Sequence, residues 1–347
     1  MPIIAKSSKA FLSISLSTTA SRVEHFAGRE LVRYLHRMSG AEFSVREEPS
    51  AVPPYIRFET RPADAQNDGF KIRSSDEGIT ICGNNPRSVL YGVYAFLEHL
   101  GCVFAEPGVE AVPFSEHLEC PGFEFEHAAS FKIRSVFRIQ KIHFGKQGHY
   151  NGFGEHHLPQ IDWMAKKKLN HYVFYVDYDR FDVWEKNKKT ILEALLDRGF
   201  IIELSQHSLG YFFPSGEAED YGGFGPETYA SGHPEWYVGH KKIRIGIPRI
   251  QEIIFSRFMD FVRRNRELDV ISLWPADAEM SPPENPSLNI SDEYLLFWNR
   301  AARMLAGEFP EKKLSCLAYF ELLEPPQRIH GESNLNLWFC PVFAHSM

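Results

Sequence analysis

The chain has 347 residues, a formal net charge of −7 and no long block of basic residues, which excludes nucleic acid as an expected partner. Hydrophobic residues make up 44% of the chain and charged residues 24%, the ordinary composition of a soluble globular protein with room for two domains. No apolar run is long enough to cross a bilayer, so we expect no membrane partner.

The N-terminal segment, residues 1–17, lacks the basic region and long apolar core of a signal peptide. As the sequence stands, this predicts a cytoplasmic protein; removal of a signal peptide would instead predict a secreted or periplasmic one. An odd number of scattered cysteines without a Cys-x-x-Cys pair argues against a disulfide scaffold and a zinc ribbon, and we expect no cofactor. The cysteines are Cys82, Cys102, Cys120, Cys316 and Cys340.

The first elements of the chain have clear boundary signals. Residues 9–17 alternate apolar and polar side chains, which predicts a half-buried strand. Ser21 followed by Glu24 has the form of a capping box, and Gly40 provides a stop, so a helix is predicted between them.

A small α+β domain over residues 1–113 completes the first part of the chain. Residues 76–78 predict a hairpin turn, and Asn85-Pro86 predicts the start of a second helix. The proline-bearing segment 114–130 has little periodicity and is interpreted as a linker. Short strands are predicted at 43–45, 55–59, 70–73 and 79–82.

Residues 131–347 alternate predicted strands and helices, which favours a parallel sheet with crossover helices and, as the best candidate, an α/β barrel of the TIM type. One of the helices is predicted to be capped by Ser291. About six strands are found where a closed barrel needs eight, so either strands are missed or the barrel is incomplete at its C-terminal end. The predicted strands are 133–139, 170–176, 200–204, 270–273, 313–319 and 335–339.

Two carboxylates, Asp277 and Glu279, follow the predicted strand 270–273 after Trp274-Pro275. In an extended backbone, side chains two residues apart point the same way. Paired acids at the carboxyl end of a barrel strand are where acid/base chemistry on a sugar is expected. The alternative is a polar loop after a core strand.

Other side chains are candidates for sugar binding or metal binding. Glu321 and Glu324, after the strand at 313–319, are alternative acids, and Glu203 is expected to line the barrel mouth. In a histidine-rich loop, the spacing of the histidines matches no known metal-ligand pattern, so hydrogen bonding is favoured over metal binding. A metal-dependent hydrolase that uses this loop is a weaker hypothesis. The histidines are His143, His149, His156 and His157. Aromatic residues that could stack on sugars are Trp236, Trp274, Trp338, Tyr211 and Tyr237.

Three segments carry a family resemblance. Residues 84–101 resemble the small domain that precedes the barrel in α-glucuronidases and β-N-acetylhexosaminidases. Together with His233-Pro-Glu-Trp-Tyr237 and Ile271-Ser-Leu-Trp-Pro-Ala-Asp277, they are most similar to a bacterial family known only as domain of unknown function 4838. Part of that family is associated with endo-β-N-acetylglucosaminidase activity.

The resemblance to hexosaminidases implies roles for individual residues. Arg134 takes the position of an arginine that binds sugar hydroxyls, Asp177 that of a strand-terminal acid, and His207 lies in the loop after the third strand. Asp277 would orient the substrate's N-acetyl group, and Glu279 would donate the proton. Hexosaminidases place these two acids side by side, whereas here Ala278 separates them.

These observations predict a glycoside hydrolase-like protein that cleaves glycosidic bonds in a glycan containing N-acetylhexosamine or uronic acid. The mechanism would be retaining or substrate-assisted, with a glycan as the partner and a homodimer as one expected assembly. The alternative is a non-catalytic carbohydrate-binding protein on a degenerate barrel. Predicted site residues are Asp277 and Glu279 for catalysis, and Arg134, Asp177, His207, Trp236, Trp274 and Glu321 for substrate binding, with no metal ligands.

Overall fold

The computed structural model describes residues 2–47, 53–62, 68–120, 122–136, 157–174, 181–205, 207–213, 229–239, 242–275 and 280–341. The chain divides into two compact units. Unit 1 is Met1–Val136, Gly152–Tyr172 and Lys189–Phe200, and unit 2 is Phe137–Asn151, Val173–Lys188 and Ile201–Met347. The predicted boundaries at 113 and 131 stay a prediction.

Unit 1 is built around a six-stranded mixed sheet in the order β11-β6-β7-β5-β3-β4, beside a three-stranded sheet in the order β10-β1-β2 and the hairpin β8-β9. Its strands are β1 (Ile3–Lys6), β2 (Lys9–Ala10), β3 (Ser13–Leu16), β4 (Val45–Glu47), β5 (Tyr55–Thr60), β6 (Phe70–Ser75), β7 (Gly78–Gly83), β8 (Val103–Glu106), β9 (Val109–Ala111), β10 (His117–Glu119) and β11 (Glu124–His127). Its helices are α1 (Arg22–Ser39), α2 (Pro86–His99) and α3 (His157–Lys166).

The predicted helix boundaries of unit 1 are confirmed. The Ser21 side chain accepts a hydrogen bond from the Glu24 N–H at 3.3 Å, and the Glu24 carboxylate accepts one from the Ser21 N–H at 2.7 Å. Gly40 ends α1 in the left-handed region at φ 69°. The Asn85 side chain accepts from the Ser88 N–H at 2.9 Å and caps α2.

The turn at residues 76–78 is also confirmed, since β6 and β7 pair antiparallel across it. Gly78 has a φ of 141°, and a Cβ there would lie 2.2 Å from the Tyr55 carbonyl oxygen, so the turn requires glycine. The segment 114–130, interpreted as a linker, instead contributes β10 and β11 to the sheets of this unit.

Unit 2 contains a five-stranded sheet in the order β12-β13-β16-β17-β18, with β13, β16, β17 and β18 paired in parallel. Two elements, β12 (His171–Phe174) and α4 (Phe181–Asp197), run across the boundary between the units. The remaining elements are β13 (Ile201–Leu204), α5 (Leu209–Phe212), α6 (Tyr229–Gly232), β14 (Tyr237–Val238), β15 (Lys242–Ile243), α7 (Pro248–Arg264), β16 (Val270–Ser272), α8 (Ile290–Glu308), β17 (Lys313–Ala318), β18 (Leu335–Phe339) and 3-10 helices at Pro234–Trp236 and Phe320–Leu323.

Two sequence predictions for this part of the chain need correction. Residues 133–136, the described part of the predicted strand 133–139, are not in a strand. Helix α8 is capped by Asn289, whose side chain accepts from the Asp292 N–H at 2.8 Å, and not by Ser291. The fold is mixed α/β, and the described sheet has fewer strands than the eight of a closed barrel.

None of the five cysteines, all within the described residues, forms a disulfide. Among the described helices, none has the length and apolar character needed to span a membrane.

Candidate active site

Four strands of unit 2, β13, β16, β17 and β18, bring their carboxyl ends to the same edge of the sheet because they run parallel. Ligands of parallel α/β proteins bind at this edge. His207 follows β13 and Trp274 follows β16, and their ring centroids lie 6.4 Å apart at an interplanar angle of 68°. The structure thus brings these two predicted site residues together.

The backbone that leaves β16 is held by the residues that follow β13. The Ser208 hydroxyl donates to the Ser272 carbonyl at 2.7 Å and accepts from the Trp274 N–H at 3.3 Å. The Leu209 N–H donates to the Trp274 carbonyl at 3.1 Å. These bonds fix the direction in which the chain leaves the sheet after Trp274.

His207 adds a further anchor one residue later. Its Nδ1 lies 2.5 Å from the Pro275 carbonyl oxygen. Since a carbonyl oxygen only accepts, Nδ1 carries the hydrogen of this bond. The segment with the predicted acids, Asp277 and Glu279, follows this anchored proline, but both acids lie outside the described residues, so their catalytic roles stay a prediction.

Two tryptophan rings, those of Trp274 and Trp338, are in contact near this edge. The ring centroids of Trp274 and Trp338 lie 6.1 Å apart at 66°, an edge-to-face contact. Trp274 is buried and donates from Nε1 to the Ser315 hydroxyl at 3.2 Å, whereas Trp338 is half-buried. Trp338 therefore offers more aromatic surface to a ligand than Trp274 does.

A fully buried carboxylate, Glu203, holds this arrangement from below. Its Oε1 accepts from the Trp338 Nε1 at 2.9 Å, from the Ser315 hydroxyl at 2.7 Å and from the Ser205 hydroxyl. Its Oε2 accepts from the Asn336 amide at 3.3 Å. Glu203 does not line an open mouth as we expected. It links three strands and orients the Trp338 ring.

We call the group Glu203, Ser205, His207, Trp274, Ser315 and Trp338 the strand-end cluster. It combines an aromatic pair, an imidazole whose Nδ1 bonds the Pro275 carbonyl and a buried carboxyl group, all within or just after the parallel strands β13, β16, β17 and β18.

Arg134, the predicted sugar-binding arginine, lies in unit 1 and is mostly buried. Its NH2 donates to Asp68 at 2.5 Å, its Nε to the Lys168 carbonyl at 2.8 Å and its NH1 to the Phe131 carbonyl at 2.7 Å. Every nitrogen of the guanidinium thus has a protein acceptor. Sugar binding by Arg134 stays a prediction, but the described contacts give it a structural role.

Asp68 is the centre of that arrangement. It is buried and also accepts hydrogen bonds from Asn85, Arg87 and Asn170. Burial by itself raises the pKa of this carboxyl, but hydrogen bonds and charge from Arg87, with bonds from Arg134 and Asn85, outweigh it and lower the pKa to about 2. Asp68 is therefore ionised at neutral pH and pairs with two arginines.

Trp236 belongs to a different aromatic group of unit 2. It stacks on His233 with centroids 3.8 Å apart and lies 5.8 Å from Phe213 and 5.6 Å from Tyr229. Two other aromatic candidates, Tyr211 and Tyr237, are buried. The structure does not place these three with the Trp274–Trp338 pair among its described ring contacts, so their binding roles stay a prediction.

The alternative acids follow β17. Glu321 lies on the 3-10 helix Phe320–Leu323, is exposed, and has a carboxylate oxygen 3.8 Å from the Lys242 ammonium. Glu324 is exposed and accepts from the Gln327 amide at 3.2 Å. An exposed position leaves both carboxylates accessible to a substrate.

Several candidates lie outside the described residues, namely Asp177, His143, His149 and His156. His157 is described: it is buried, and its Nδ1 lies 2.6 Å from the Tyr172 hydroxyl. Within the described part of the chain, no group of three or more His, Cys, Asp or Glu side chains could hold a metal ion.

Residues 104–347, more than half of the chain, match the family described as Domain of unknown function (DUF4838). The chain belongs to this family. No curated protein matches the sequence.

Solved structures show which fold the DUF4838 chain shares. It is similar to Flavobacterium johnsoniae chitobiase (FjGH20), with a TM-score of 0.57 at 14% identity, over 94% of this chain and 51% of that one. It is also similar to the GH20 β-N-acetylhexosaminidase of Streptomyces coelicolor A3(2), with a TM-score of 0.57 at 13% identity, over 96% and 66%. A third match is the family GH115 4-O-methyl-α-glucuronidase BtGH115A, with a TM-score of 0.59 at 12% identity, over 93% and 43%.

At these identities the similarity shows the fold alone, and it is the fold of glycoside hydrolases. The DUF4838 chain spans about half to two thirds of the length of these structures. Activity, substrate and partners of the whole protein are therefore matters for proposal.

Sequence reasoning missed most of the polar part of the strand-end cluster. Ser205, Ser208 and Ser315 gave no motif, because an isolated serine beside a strand is common. One signal was available: Glu203 sits in the apolar run Ile201-Ile-Glu-Leu204, and a carboxylate within a buried strand requires hydrogen-bond partners.

Proposed function

We propose that this DUF4838 protein is a glycoside hydrolase that cleaves glycosidic bonds in a glycan containing N-acetylhexosamine or uronic acid. The catalytic platform would be a (β/α) barrel of the TIM type. Glycoside hydrolases need an acid for the leaving oxygen and a group that stabilises an oxocarbenium-like transition state. Asp277 and Glu279 supply two carboxyl groups of the required kind.

The observation that carries the proposal is the anchored exit from β16. His207 and Ser208 hold Pro275 and Trp274, and the two acids follow within four residues. A segment that starts from a fixed point at the carboxyl edge, next to an aromatic pair, is suited to placing acids against a bound sugar. The structural similarity to a chitobiase, a hexosaminidase and a glucuronidase supports a glycan as the substrate.

In this proposal the residues divide the work. Trp338, with its indole N–H bound to Glu203, provides an apolar face for the sugar ring, and His207 holds the Pro275 carbonyl from which the acid segment begins. Asp277 orients the N-acetyl group or stabilises the developing positive charge, and Glu279 delivers the proton to the leaving oxygen. A retaining or substrate-assisted course fits this division.

The test is hydrolysis of aryl β-N-acetylglucosaminides, aryl α-glucuronides and N-glycans by the wild type, Asp277→Asn and Glu279→Gln. We expect the wild type to cleave at least one class and one or both variants to lose about 100-fold or more in kcat/KM. Glu311→Gln is the matched control, because Glu311 is exposed and lies just before β17, at the opposite end of the strand. Cleavage that is as fast in both acid variants as in the wild type would refute the assignment.

The strand-end cluster favours one other function, binding of carbohydrate without cleavage. Its aromatic pair and the buried Glu203 carboxyl group are in place independently of the acids. Under this alternative the wild type cleaves nothing on the panel, yet binds glycans in a manner that requires Trp338.

A further inference from the structure

Unit 1 contains a cavity of about 390 Å³, formed by the hairpin β8-β9, helix α3, Arg33 of α1 and Arg198, which follows α4. Pockets for small molecules begin at about 300 Å³, so this one has room for a small ligand. The strand-end cluster and the proposed catalysis do not use it.

The polar groups of the cavity hold one another in place. Lys166 is only 4% exposed, and its ammonium donates to Glu110 at 2.9 Å and to Asp162. Arg198 donates to the other oxygen of Asp162 at 2.8 Å. Paired charges of this kind lose little entropy when a ligand arrives, because their positions are already fixed.

The charges that line the cavity balance. Three basic side chains, Arg33, Lys166 and Arg198, face three acidic ones, Glu106, Glu110 and Asp162. A strongly anionic ligand would meet three carboxylates, and a cationic one three bases, so neither is favoured electrostatically. A purely apolar ligand would remove water from these charges without replacing the hydrogen bonds that the water makes.

The carboxylates remain acceptors at neutral pH. Burial alone raises the pKa of Glu110, but hydrogen bonds from Tyr34, Arg37 and Lys166 outweigh it and lower that pKa to about 2. For Asp162, burial is likewise outweighed, by the charges and hydrogen bonds of Lys166 and Arg198, and the pKa is lowered. The lining therefore alternates fixed acceptors with fixed donors.

Two aromatic rings, Phe104 and Trp163, complete the lining. The Trp163 indole donates to the Ala105 carbonyl at 3.2 Å, which ties its ring to the end of β8. Phe104 is buried and packs against the Lys166 ammonium, which lies 4.9 Å from the ring centroid. The cavity thus offers the half-buried Trp163 ring beside a set of donors and acceptors.

We propose that this cavity is a second, non-catalytic carbohydrate-binding site, which takes a neutral pyranose. Pyranose hydroxyls both donate and accept, so they match a lining in which fixed donors and acceptors are mixed, and the carbon face of the ring can cover an aromatic side chain. The proposal does not depend on hydrolysis in unit 2, because every residue that carries it lies in unit 1.

The test is a titration of the full chain with methyl glycosides of glucose, galactose, xylose, N-acetylglucosamine and glucuronic acid, followed by saturation-transfer NMR and tryptophan fluorescence. We expect a neutral glycoside to bind with a Kd of about 1 mM or tighter. Trp163→Ala and Glu106→Gln should each weaken that binding at least about tenfold, which corresponds to about 1.4 kcal/mol. Phe114→Ala is the matched control, an exposed aromatic of unit 1 that does not line the cavity.

Trp338→Ala separates this site from the strand-end cluster, and binding at the proposed site should survive it. Binding that disappears in Trp338→Ala but persists in Trp163→Ala would overturn the proposal, as would preference for the glucuronide or failure of every neutral glycoside to bind. If Trp163→Ala does not fold, Glu106→Gln decides the matter, because Glu106 is exposed and its replacement preserves shape.

Discussion

At the scale of single residues, two buried carboxylates organise their surroundings, one in each unit. Asp68 joins Asn85 and Arg87 at the start of α2 to Arg134 and Asn170. Glu203 joins β13 to β17 and β18. A buried carboxyl group is retained only where hydrogen-bond partners satisfy its oxygens, so each of these residues fixes the position of several others.

Asp68→Asn should destabilise the protein by about 3 kcal/mol at neutral pH, because it leaves Arg87 and Arg134 without their buried counter-charge. The folded-state pKa of Asp68, about 2, lies below its ordinary value of 3.8. The carboxylate therefore contributes its full stability above about pH 4, and this contribution is lost as the pH falls towards 2. Chemical unfolding of the wild type and the variant at about pH 6.5, which lies above this window, and at about pH 2.5, which lies within it, measures the difference.

The gap in unfolding free energy between the two proteins should narrow at the lower pH. Glu77→Gln serves as the control, since Glu77 is an exposed turn carboxylate of the same unit. A gap that stays constant with pH would show that Asp68 acts through packing and not through its charge.

At the scale of elements, helix boundaries were predictable and most strand partners were not. The capping box at Ser21 and the Asn85-Pro86 start are local signals, and both act within four residues. The same local signals led us to predict Ser291 as the N-cap of α8. Asn289, two residues earlier, offers an equally good capping side chain and is the N-cap in the structure. Local chemistry narrows a boundary to a turn, and packing then selects the residue.

The prediction of strands and of their partners failed for two physical reasons. Those in the supposed linker, β10 and β11, have three and four residues, too few for a period of two to be recognised. The order of the central sheet, where β5 lies between β3 and β7, depends on contacts between distant residues that no local pattern encodes. In the candidate site, His207, Trp274 and Glu203 were named from their positions in or after strands. Ser205, Ser315 and the hydrogen bonds of Glu203 required the register of those strands.

Asp292, in the first turn of α8, ties this helix to the loop before β18. Its Oδ1 accepts the backbone N–H groups of Gln327 at 3.0 Å, Arg328 at 2.9 Å and Ile329 at 3.0 Å. Asp292→Ala should cost about 2 to 3 kcal/mol and speed the hydrogen exchange of these three amides, since they lose a charged acceptor. Exchange mass spectrometry of the peptide over 325–331 measures the effect.

Asp260→Ala, an exposed aspartate of α7, provides the matched control and should leave that peptide unchanged. Equal exchange in Asp292→Ala and the wild type would mean that the loop is held by other contacts.

At the scale of the whole molecule, the alternation of predicted strands and helices indicated an α/β architecture, and the structure is mixed α/β with a fold similar to that of solved glycoside hydrolases. What this pattern does not reveal is where apolar surface stays uncovered. In unit 2 that surface lies on β18, which has a single sheet neighbour among the described strands.

The exposed face of β18 carries Leu337 at 60% and Phe339 at 66% exposure. The same face adjoins an apolar cavity of about 370 Å³ whose lining includes Leu295, Trp298 and Leu337. An edge strand with adjoining apolar surface favours pairing with another chain, and a second copy would provide an identical edge. We therefore expect the protein to self-associate as its concentration rises, which would give the homodimer that we predicted.

Leu337→Lys should weaken this association about tenfold or more, because it places a charge on the edge that would be covered. Sedimentation velocity over a wide range of protein concentration measures it, with Leu196→Lys as the matched control on an exposed apolar position of α4. A wild type that stays monomeric at every concentration, or a control that dissociates as readily as Leu337→Lys, would contradict the role of β18. Association that persists unchanged in Leu337→Lys would place the interface on another surface of the molecule.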